Sequence, residues 1–263
     1  QRQMCIRDRY KIMIKVGIIG CGFVGGALKD WLEHNNPECE LFISDPAKGY
    51  HDDQSNIDIA FLQIHVRTED DGTQDLTLMK ELISNLPDVP VFVRTTILPG
   101  TSEMLSKETG HRVHYMPEFL TERTHIEDFK KQTMVFTGAV DLLTKIFVGK
   151  KFTVMTPLEA ELTKYMHNVF GAYKVTYFNA CREYCEKMGA DWRTVHTGCL
   201  LSGYINDTHT YVPGPDGKFG YGGKCFPKDV NAFTKITQGT SLGILLAPLH
   251  ELNVHFRGEE EII

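Results

Sequence analysis

No stretch of the 263 residues is apolar for anything near the roughly 20 positions a membrane span needs. No basic tract is present either, and a formal charge of −6 gives no electrostatic ground for nucleic-acid binding. Internal repeats and low-complexity segments are lacking. A disulfide framework is not expected either: the seven cysteines (Cys5, Cys21, Cys39, Cys181, Cys185, Cys199 and Cys225) are odd in number and irregular in spacing, and no signal peptide is expected ahead of them. That pattern reads as a reducing, cytoplasmic compartment. Cys181 and Cys185 lie four apart in a helical stretch without a second Cys or His pair, so they read as buried helix cysteines and no metal is expected.

What is present is an ordinary soluble composition, 42% hydrophobic and 24% charged, long enough for one large domain or two modest ones. Residues 1–12, QRQMCIRDRYKI, fit no element and are expected to be a non-native or disordered extension before a native start at Met13. From there short apolar runs alternate with helical stretches, which predicts βαβ units and a mostly parallel, doubly wound sheet over residues 13–156. The strands are MIKVGIIG, CELFISD, IDIAFLQI and PVFVRTTI, then the shorter HRVHYM, TMVFTG and FTVM. Helices are expected over roughly 23–34, over 75–86 with Leu76, Met79, Leu82 and Leu86 on one face, and near 141–147.

After Thr156 the pattern changes. Pro157 to about Met188 contains no further proline, and its one glycine, Gly171, does not interrupt the apolar spacing of Leu158, Leu162, Tyr165, Val169, Tyr173 and Phe178. A single helix of some thirty residues is long for a globular domain and suits a spine or half of a dimer interface. A helix over 192–202, a Gly/Pro-rich loop over 203–224 and two closing helices complete an all-α domain over 157–263, and a loop of that length is expected to be functional.

Gly20-Cys21-Gly22-Phe23-Val24-Gly25 is a GxGxxG directly after a strand and at the start of a helix, with Asp45 at the end of the next strand. The glycines allow a tight turn, close approach of a pyrophosphate and close helix packing; Asp45 would bond a ribose 2′-OH and repel a 2′-phosphate. The expected cofactor is NAD, held by Gly20, Gly22, Phe23, Val24, Gly25 and Asp45. The alternative is a structural glycine turn with Asp45 opening the turn before Pro46.

In GYGGKCFPKD, residues 220–229, glycines lead to a cysteine and Pro227 then starts a helix. A thiol at a helix N-terminus between Lys224 and Lys228 should ionise readily, which suits a nucleophile; a buried structural Cys225 is the competing reading.

These ten residues resemble the cysteine motif of the UDP-glucose/GDP-mannose dehydrogenase family. Further stretches resemble that family's segments in the same order: Asp71-Gly72-Thr73-Gln74-Asp75-Leu76, Arg94-Thr95-Thr96-Ile97 with Pro99-Gly100-Thr101, Met116-Pro117-Glu118-Phe119-Leu120-Thr121-Glu122, and Glu161-Leu162-Thr163-Lys164-Tyr165 continuing to Asn168. The resemblance runs from Met13 to Arg257. It implies a Rossmann-type NAD domain, a helical central domain that dimerises through 157–188, and oxidation of a nucleotide-sugar C6 alcohol to the uronate, by two hydride transfers through a thiohemiacetal and a thioester on Cys225. Lys164 and Asn168, four apart on one helix, would stabilise the oxyanion at C6. Asp229 and Thr96 would hold water, and Glu118 and Glu122 would assist substrate binding or hydrolysis. Tyr221 and Gly222 would join Glu118, Lys164 and Asn168 in holding substrate. Taken singly, Lys164 reads as a solvated lysine and the two glutamates as helix-start charges after Pro117.

The chain departs from the family pattern in two places. A C-terminal nucleotide-gripping domain is expected to be missing. His209 stands where the family commonly places an arginine, so it would donate to a phosphate or sugar hydroxyl more weakly than a guanidinium does, or be an ordinary loop histidine. PEFLTE resembles the UDP-glucose and GDP-mannose branches more than the family's acetamido-sugar branches, with UDP-glucose the first expected substrate and GDP-mannose the next. Two other readings compete: a two-electron β-hydroxyacid-type dehydrogenase that needs no cysteine, and an incomplete NAD-binding dimer without turnover.

Overall fold

The computed structural model describes residues 13–258; the expected extension over 1–12 lies outside the described residues. Two compact units emerge, one formed by the chain up to Arg67 together with Asp75–Lys164, the other by Thr68–Gln74 with the chain from Tyr165 onward.

In the first unit the elements run β1 (Ile14–Ile19), α1 (Phe23–Asn35), β2 (Cys39–Asp45), β3 (Tyr50–His51), β4 (Ile59–Leu62), α2 (Thr77–Ser84), β5 (Val91–Val93), α3 (Thr101–Thr109), β6 (Val113–Tyr115), α4 (His125–Lys131), β7 (Met134–Phe136), α5 (Val140–Ile146) and β8 (Phe152–Val154). The main sheet has the order β3-β2-β1-β4-β5-β6, parallel throughout except for the two-residue β3. Strand order reverses between β1 and β4, the switch point at whose carboxyl ends doubly wound folds bind ligands. Among the described residues β7 and β8 pair only with each other, as a separate parallel ribbon.

Both faces of the sheet are covered, which is why its strands read as near-continuous apolar runs. Alternation decides which side each residue serves. Val16, Ile18, Ile59, Phe61 and Phe92 pack with Leu28, Trp31, Phe129 and Phe147 on one side. Ile19, Ala60, Leu62, Val91 and Val93 pack with Met79, Ile83 and Leu105 on the other. The four residues expected on one face of α2 pack into one cluster, Met79 and Leu86 buried and Leu76 and Leu82 against it, joined by Ile83, although the helix is shorter than expected and leaves Leu76 before it and Leu86 after it.

α6 (Pro157–Met188) spans 32 residues. It opens with a reciprocal capping box, in which Thr156 N–H donates to the Glu159 carboxylate at 2.7 Å and Glu159 N–H donates to Thr156 Oγ1 at 3.3 Å. It closes at Gly189, in the left-handed region at φ +72°. Tyr165, Val169 and Phe178 are buried as expected, while Leu158 is half exposed. From Tyr165 on, α6 belongs to the second unit, with α7 (Trp192–Leu200), α8 (Phe226–Ile236), α9 (Ser241–Leu246) and α10 (Leu249–Arg257). α7 ends two residues short of expectation. Among the described residues no helix is long and apolar enough to cross a membrane, and no three His, Cys, Asp or Glu gather as a metal site.

Candidate active site

The glycine turn between β1 and α1 has the shape its sequence requires. Gly20 has φ +86°, and a Cβ there would stand 2.7 Å from the Gln63 carbonyl oxygen, so a side chain is barred twice over. At Gly22, the residue before the first turn of α1, a Cβ would meet nothing within 4 Å. This is the one glycine of the turn whose missing side chain opens a surface. Asp45 closes the turn from β2, accepting the Cys21 N–H at 2.7 Å, and Lys48 donates to the Cys21 carbonyl at 2.6 Å. Phe23 and Val24 form the first turn of α1, and the Phe23 ring packs edge-on against His125. A backbone open at a helix N-terminus, with a carboxylate across from it, fits a dinucleotide.

Also in the first unit, Lys164 reaches Glu118. Its ammonium, 2% exposed as a residue, donates to the Glu118 carbonyl at 2.5 Å and to Oε1 at 2.9 Å, and stands 5.7 Å from the Phe119 ring. The other carboxylate oxygen of Glu118 accepts the Leu120 N–H at 2.7 Å. Burial opposes the ionisation of Glu118, but Lys164, that amide and Arg94 together hold its carboxyl below the usual glutamate range. Lys164 is therefore a buried cation with a fixed partner, where its sequence setting alone reads as a solvated surface lysine. Thr96 is buried on the loop after β5, and Thr95 fastens that loop through a 2.6 Å bond to the Ile64 carbonyl. Glu122, by contrast, is exposed.

The second unit holds the remaining candidates. Asn168 donates to Asp229 Oδ2 at 2.7 Å, both side chains buried. Lys228 takes the other oxygen of Asp229 at 2.5 Å. Cys225 is the N-cap of α8, partly exposed, and its carbonyl accepts the Asp229 N–H at 3.0 Å. Phe226 is the first residue of the helix and Pro227 the second, one place later than expected. Three residues from two distant motifs thus form one cluster, while Lys228 faces its neighbouring carboxylate.

Tyr221 turns inward: its ring is 3% exposed and its hydroxyl reaches the Leu249 carbonyl at 3.4 Å, with burial pushing the phenol pKa up. His209 takes the left-handed conformation at φ +63° and packs on the Phe226 ring at 5.2 Å. Burial, with Lys174 and His167 nearby, holds its imidazole pKa below the ordinary value. Cys181 and Cys185 are partly buried in α6.

Residues 158–252 match the model described as UDP-glucose/GDP-mannose dehydrogenase family, central domain. Over those residues the chain carries that family's central domain. A UDP-glucose 6-dehydrogenase of Rhizobium meliloti is 32% identical over 206 residues, covering 69% of this chain and 46% of the relative. A GDP-mannose 6-dehydrogenase of Pseudomonas putida is 32% identical over 163 residues, covering 55% and 36%. Among solved structures, a UDP-glucose dehydrogenase of Pyrobaculum islandicum shares the fold, with a TM-score of 0.73 at 23% identity over 94% of this chain and 69% of its own. The chain spans about half the length of the curated relatives it matches.

Around the family's motifs lie residues that sequence reasoning passed over. Asn253 of α10, fully buried, brackets Tyr221 by accepting its N–H at 2.7 Å and donating to its carbonyl at 3.0 Å. Arg257 donates to the carbonyls of Phe219 and Gly220, both at 3.1 Å, and pairs with Asp216. These two side chains bear on two of the glycines before Cys225: a Cβ on Gly220 would meet Asn253 Oδ1 at 2.5 Å, and one on Gly222 would strike the Arg257 guanidinium, while Gly223 is set by its φ of +75°. The Asp71–Leu76 motif is placed by Asn231, which donates to the Glu69 carbonyl at 3.1 Å, and by Gly72 lying against Lys235. Gly171 makes room for Phe226, whose ring would come 2.8 Å from a Cβ there.

Proposed function

We propose that this chain carries the NAD-binding and catalytic parts of a nucleotide-sugar 6-dehydrogenase that oxidises a C6 alcohol to the carboxylate, with UDP-glucose the first substrate to test and GDP-mannose the next. The observation that supports this best is the buried Asn168–Asp229 bond in the first turn of the helix that Cys225 caps, because it joins two family motifs through residues 61 apart. The cofactor would lie on Gly20, Gly22, Phe23, Val24, Gly25 and Asp45, and when bound it accepts hydride. The residues do the rest. Alcohol oxidation releases one hydride and one proton and gives an aldehyde. The Cys225 sulfur adds to the aldehyde carbon, and the oxygen takes a proton to form a thiohemiacetal. Loss of a second hydride and a proton leaves a thioester. Water then displaces the thiol and yields the acid. Each product consumes two NAD and one water, forming two NADH and three protons. Lys164 and Asn168 supply the positive charge and amide donor that an oxyanion at C6 requires. Asp229 and Thr96 hold the attacking water, and Glu118 positions Lys164. Glu122 and the loop carrying His209, Tyr221 and Gly222 complete the substrate side, Tyr221 and Gly222 through their backbone.

The assembly proposed is a homodimer through α6. Met166, Phe170, Tyr177, Tyr184 and Met188 are each more than half exposed and recur at spacings of four and seven, one continuous stripe along the helix. Light scattering on the purified chain tests this, and a monomer at tens of micromolar would remove it.

The decisive assay is NADH formation with each sugar nucleotide beside Cys225→Ser. About two NADH per uronate, lost or stalled in the variant, supports the reading. One NADH per product with an indifferent Cys225 points instead to a hydroxyacid-type dehydrogenase, and cofactor binding without turnover overturns the proposal.

A further inference from the structure

Arg94 follows β5 directly, inside the family's threonine motif, and the chemistry above leaves it without a task. Its backbone is fixed in the sheet: Arg94 N–H donates to the Leu62 carbonyl at 2.8 Å, and Met116 N–H donates to the Val93 carbonyl at 2.8 Å. The β5–β6 register, Val93 opposite Tyr115, therefore continues with Arg94 opposite Met116, and Glu118 comes two residues later. The side chain is 0% exposed, and among the described residues none of its three guanidinium nitrogens has a protein hydrogen-bond partner. Its contact is the face of Phe129, 5.3 Å away, in the apolar cluster on that side of the sheet.

A fully buried cation without a hydrogen bond is a cost to folding, and replacing it with an apolar side chain of similar size is expected to be neutral or stabilising. What sets Arg94 apart from an accident of packing is the charge beside it. The titratable groups acting on Arg94 are Glu118 and Tyr115; those acting on Glu118 are Lys164 and Arg94. Both oxygens of Glu118 are already engaged, one by Lys164 and one by the Leu120 amide, so Arg94 acts on it through space rather than by a bond. Burial lowers the guanidinium pKa to about 10, with Glu118 opposing that fall, so Arg94 stays charged at neutral pH.

We propose that Arg94 is a positioning residue that neutralises Glu118 electrostatically and so leaves the charge of Lys164 available to a developing anion. Lys164 and Glu118 alone sum to zero, and an anion formed beside that pair meets attraction and repulsion together. With Arg94 the buried group carries one net positive charge, in a medium where charges act at longer range than in water. Glu118 can then hold the Lys164 ammonium in place through two hydrogen bonds without cancelling it. The inference rests on the oxyanion role proposed for Lys164, and its test separates the two.

The experiment uses Arg94→Met and Arg94→Lys in the 263-residue chain. Glu118 is followed by 13C NMR of glutamate labelled at the side-chain carboxyl carbon, its signal assigned with Glu118→Gln. In Arg94→Met the Glu118 carboxyl should titrate about one pH unit higher or more, because a stabilising cation has been removed. Arg94→Lys should titrate near the wild type. In the NADH assay Arg94→Met should lose roughly tenfold or more in kcat with little change in KM, while melting no lower than the wild type. Should Arg94→Met not fold, Arg94→Gln carries the same readouts. An unmoved Glu118 titration, or an upward shift with kcat intact in a wild type that does turn over, overturns the inference. If the wild type oxidises no sugar nucleotide, the functional reading fails, while the titration still decides whether Arg94 governs Glu118.

Discussion

Glu161 sits three residues before Lys164 on α6, and its carboxylate joins that helix to the start of α3. One oxygen accepts Gly100 N–H at 2.6 Å; the other accepts Ser102 N–H at 2.8 Å and Ser102 Oγ–H at 2.6 Å. Ser102 is fully buried and Glu161 is 1% exposed. The loop so held runs from β5 to α3 and includes Thr96. Glu161→Ala would orphan three donors, two of them beyond the reach of solvent. At roughly 1–2 kcal/mol for each buried donor, and less at the half-open Gly100, the loss is about 3–4 kcal/mol. For a unit of this size that is a fall in Tm of roughly 6–16 °C. Glu161→Gln keeps an oxygen for Ser102 but turns an NH2 toward the Gly100 N–H, a smaller loss of about 1–2 kcal/mol. Differential scanning fluorimetry orders the three proteins, with Glu103→Ala, an exposed carboxylate on α3, as a control that should melt with the wild type. Ser102→Ala completes the argument: once Glu161 is alanine the Ser102 hydroxyl has no acceptor to lose, so the double variant should cost about 1 kcal/mol less than the sum of the singles. Strict additivity, or a Glu161→Ala that melts with the control, refutes the clamp.

Three further outcomes are expected. Gly171→Ala gains about 1 kcal/mol of helix propensity but pushes the Phe226 ring beside Cys225; its melting point should stay near the wild type while thiol modification of Cys225 changes rate, and an unchanged rate would show that Phe226 does not set the thiol. Asn253→Ala removes both bonds to the Tyr221 backbone, so the Tyr221 amide should exchange hydrogen about thirtyfold faster, corresponding to roughly 2 kcal/mol; unaltered exchange would assign the loop's order to Arg257 instead. Because the folded state holds the Glu118 pKa below its ordinary 4.5, its charged form contributes stability that is present above that pH and lost on acidification through and below it. The stability difference between wild type and Glu118→Gln should therefore shrink as the pH is lowered from 6 past 4.5, and a difference that widens would reverse the sign of the argument.

Local physics accounts for how much of the fold could be read from the residues. β1, β2 and α6 carry their signals within themselves: short, largely apolar runs, then a capping box, apolar spacing and a closing glycine, and the first strand, its glycine turn and the 32-residue helix lie where those signals put them. α3 and α4 carry almost none. α3 buries only Thr101, Ser102 and Leu105 of TSEMLSKET, and α4 only Phe129 of seven residues, so no apolar periodicity announces either. What fixes α3 is the Glu161 carboxylate at its N-terminus, supplied from about sixty residues away. The β7–β8 ribbon illustrates the same limit. Its strands are legible from composition, but that they pair with each other and leave β8 exposed is a matter of partner choice, which no single segment records.

At the candidate site the division falls between groups that act and groups that hold. Cys225 stands out by its place before a helix between two lysines, whereas Lys164, Asn168, Asp229 and Glu118 stand out only through the resemblance of their segments to the family's motifs; two of the contacts among them, Lys164 with Glu118 and Asn168 with Asp229, have formed inside the units that contain them. The residues that hold them look ordinary in sequence. Asn253 and Arg257 lie in a polar helix, yet a side chain on Gly220 or Gly222 would run into them, so those two glycines of GYGG are intelligible only once these partners are known. Arg94 is the sharpest instance. In sequence it is one basic residue before two threonines. Only its burial beside Glu118, without a hydrogen bond of its own, turns it from a strand-end residue into a source of charge that folding alone gives no reason to keep.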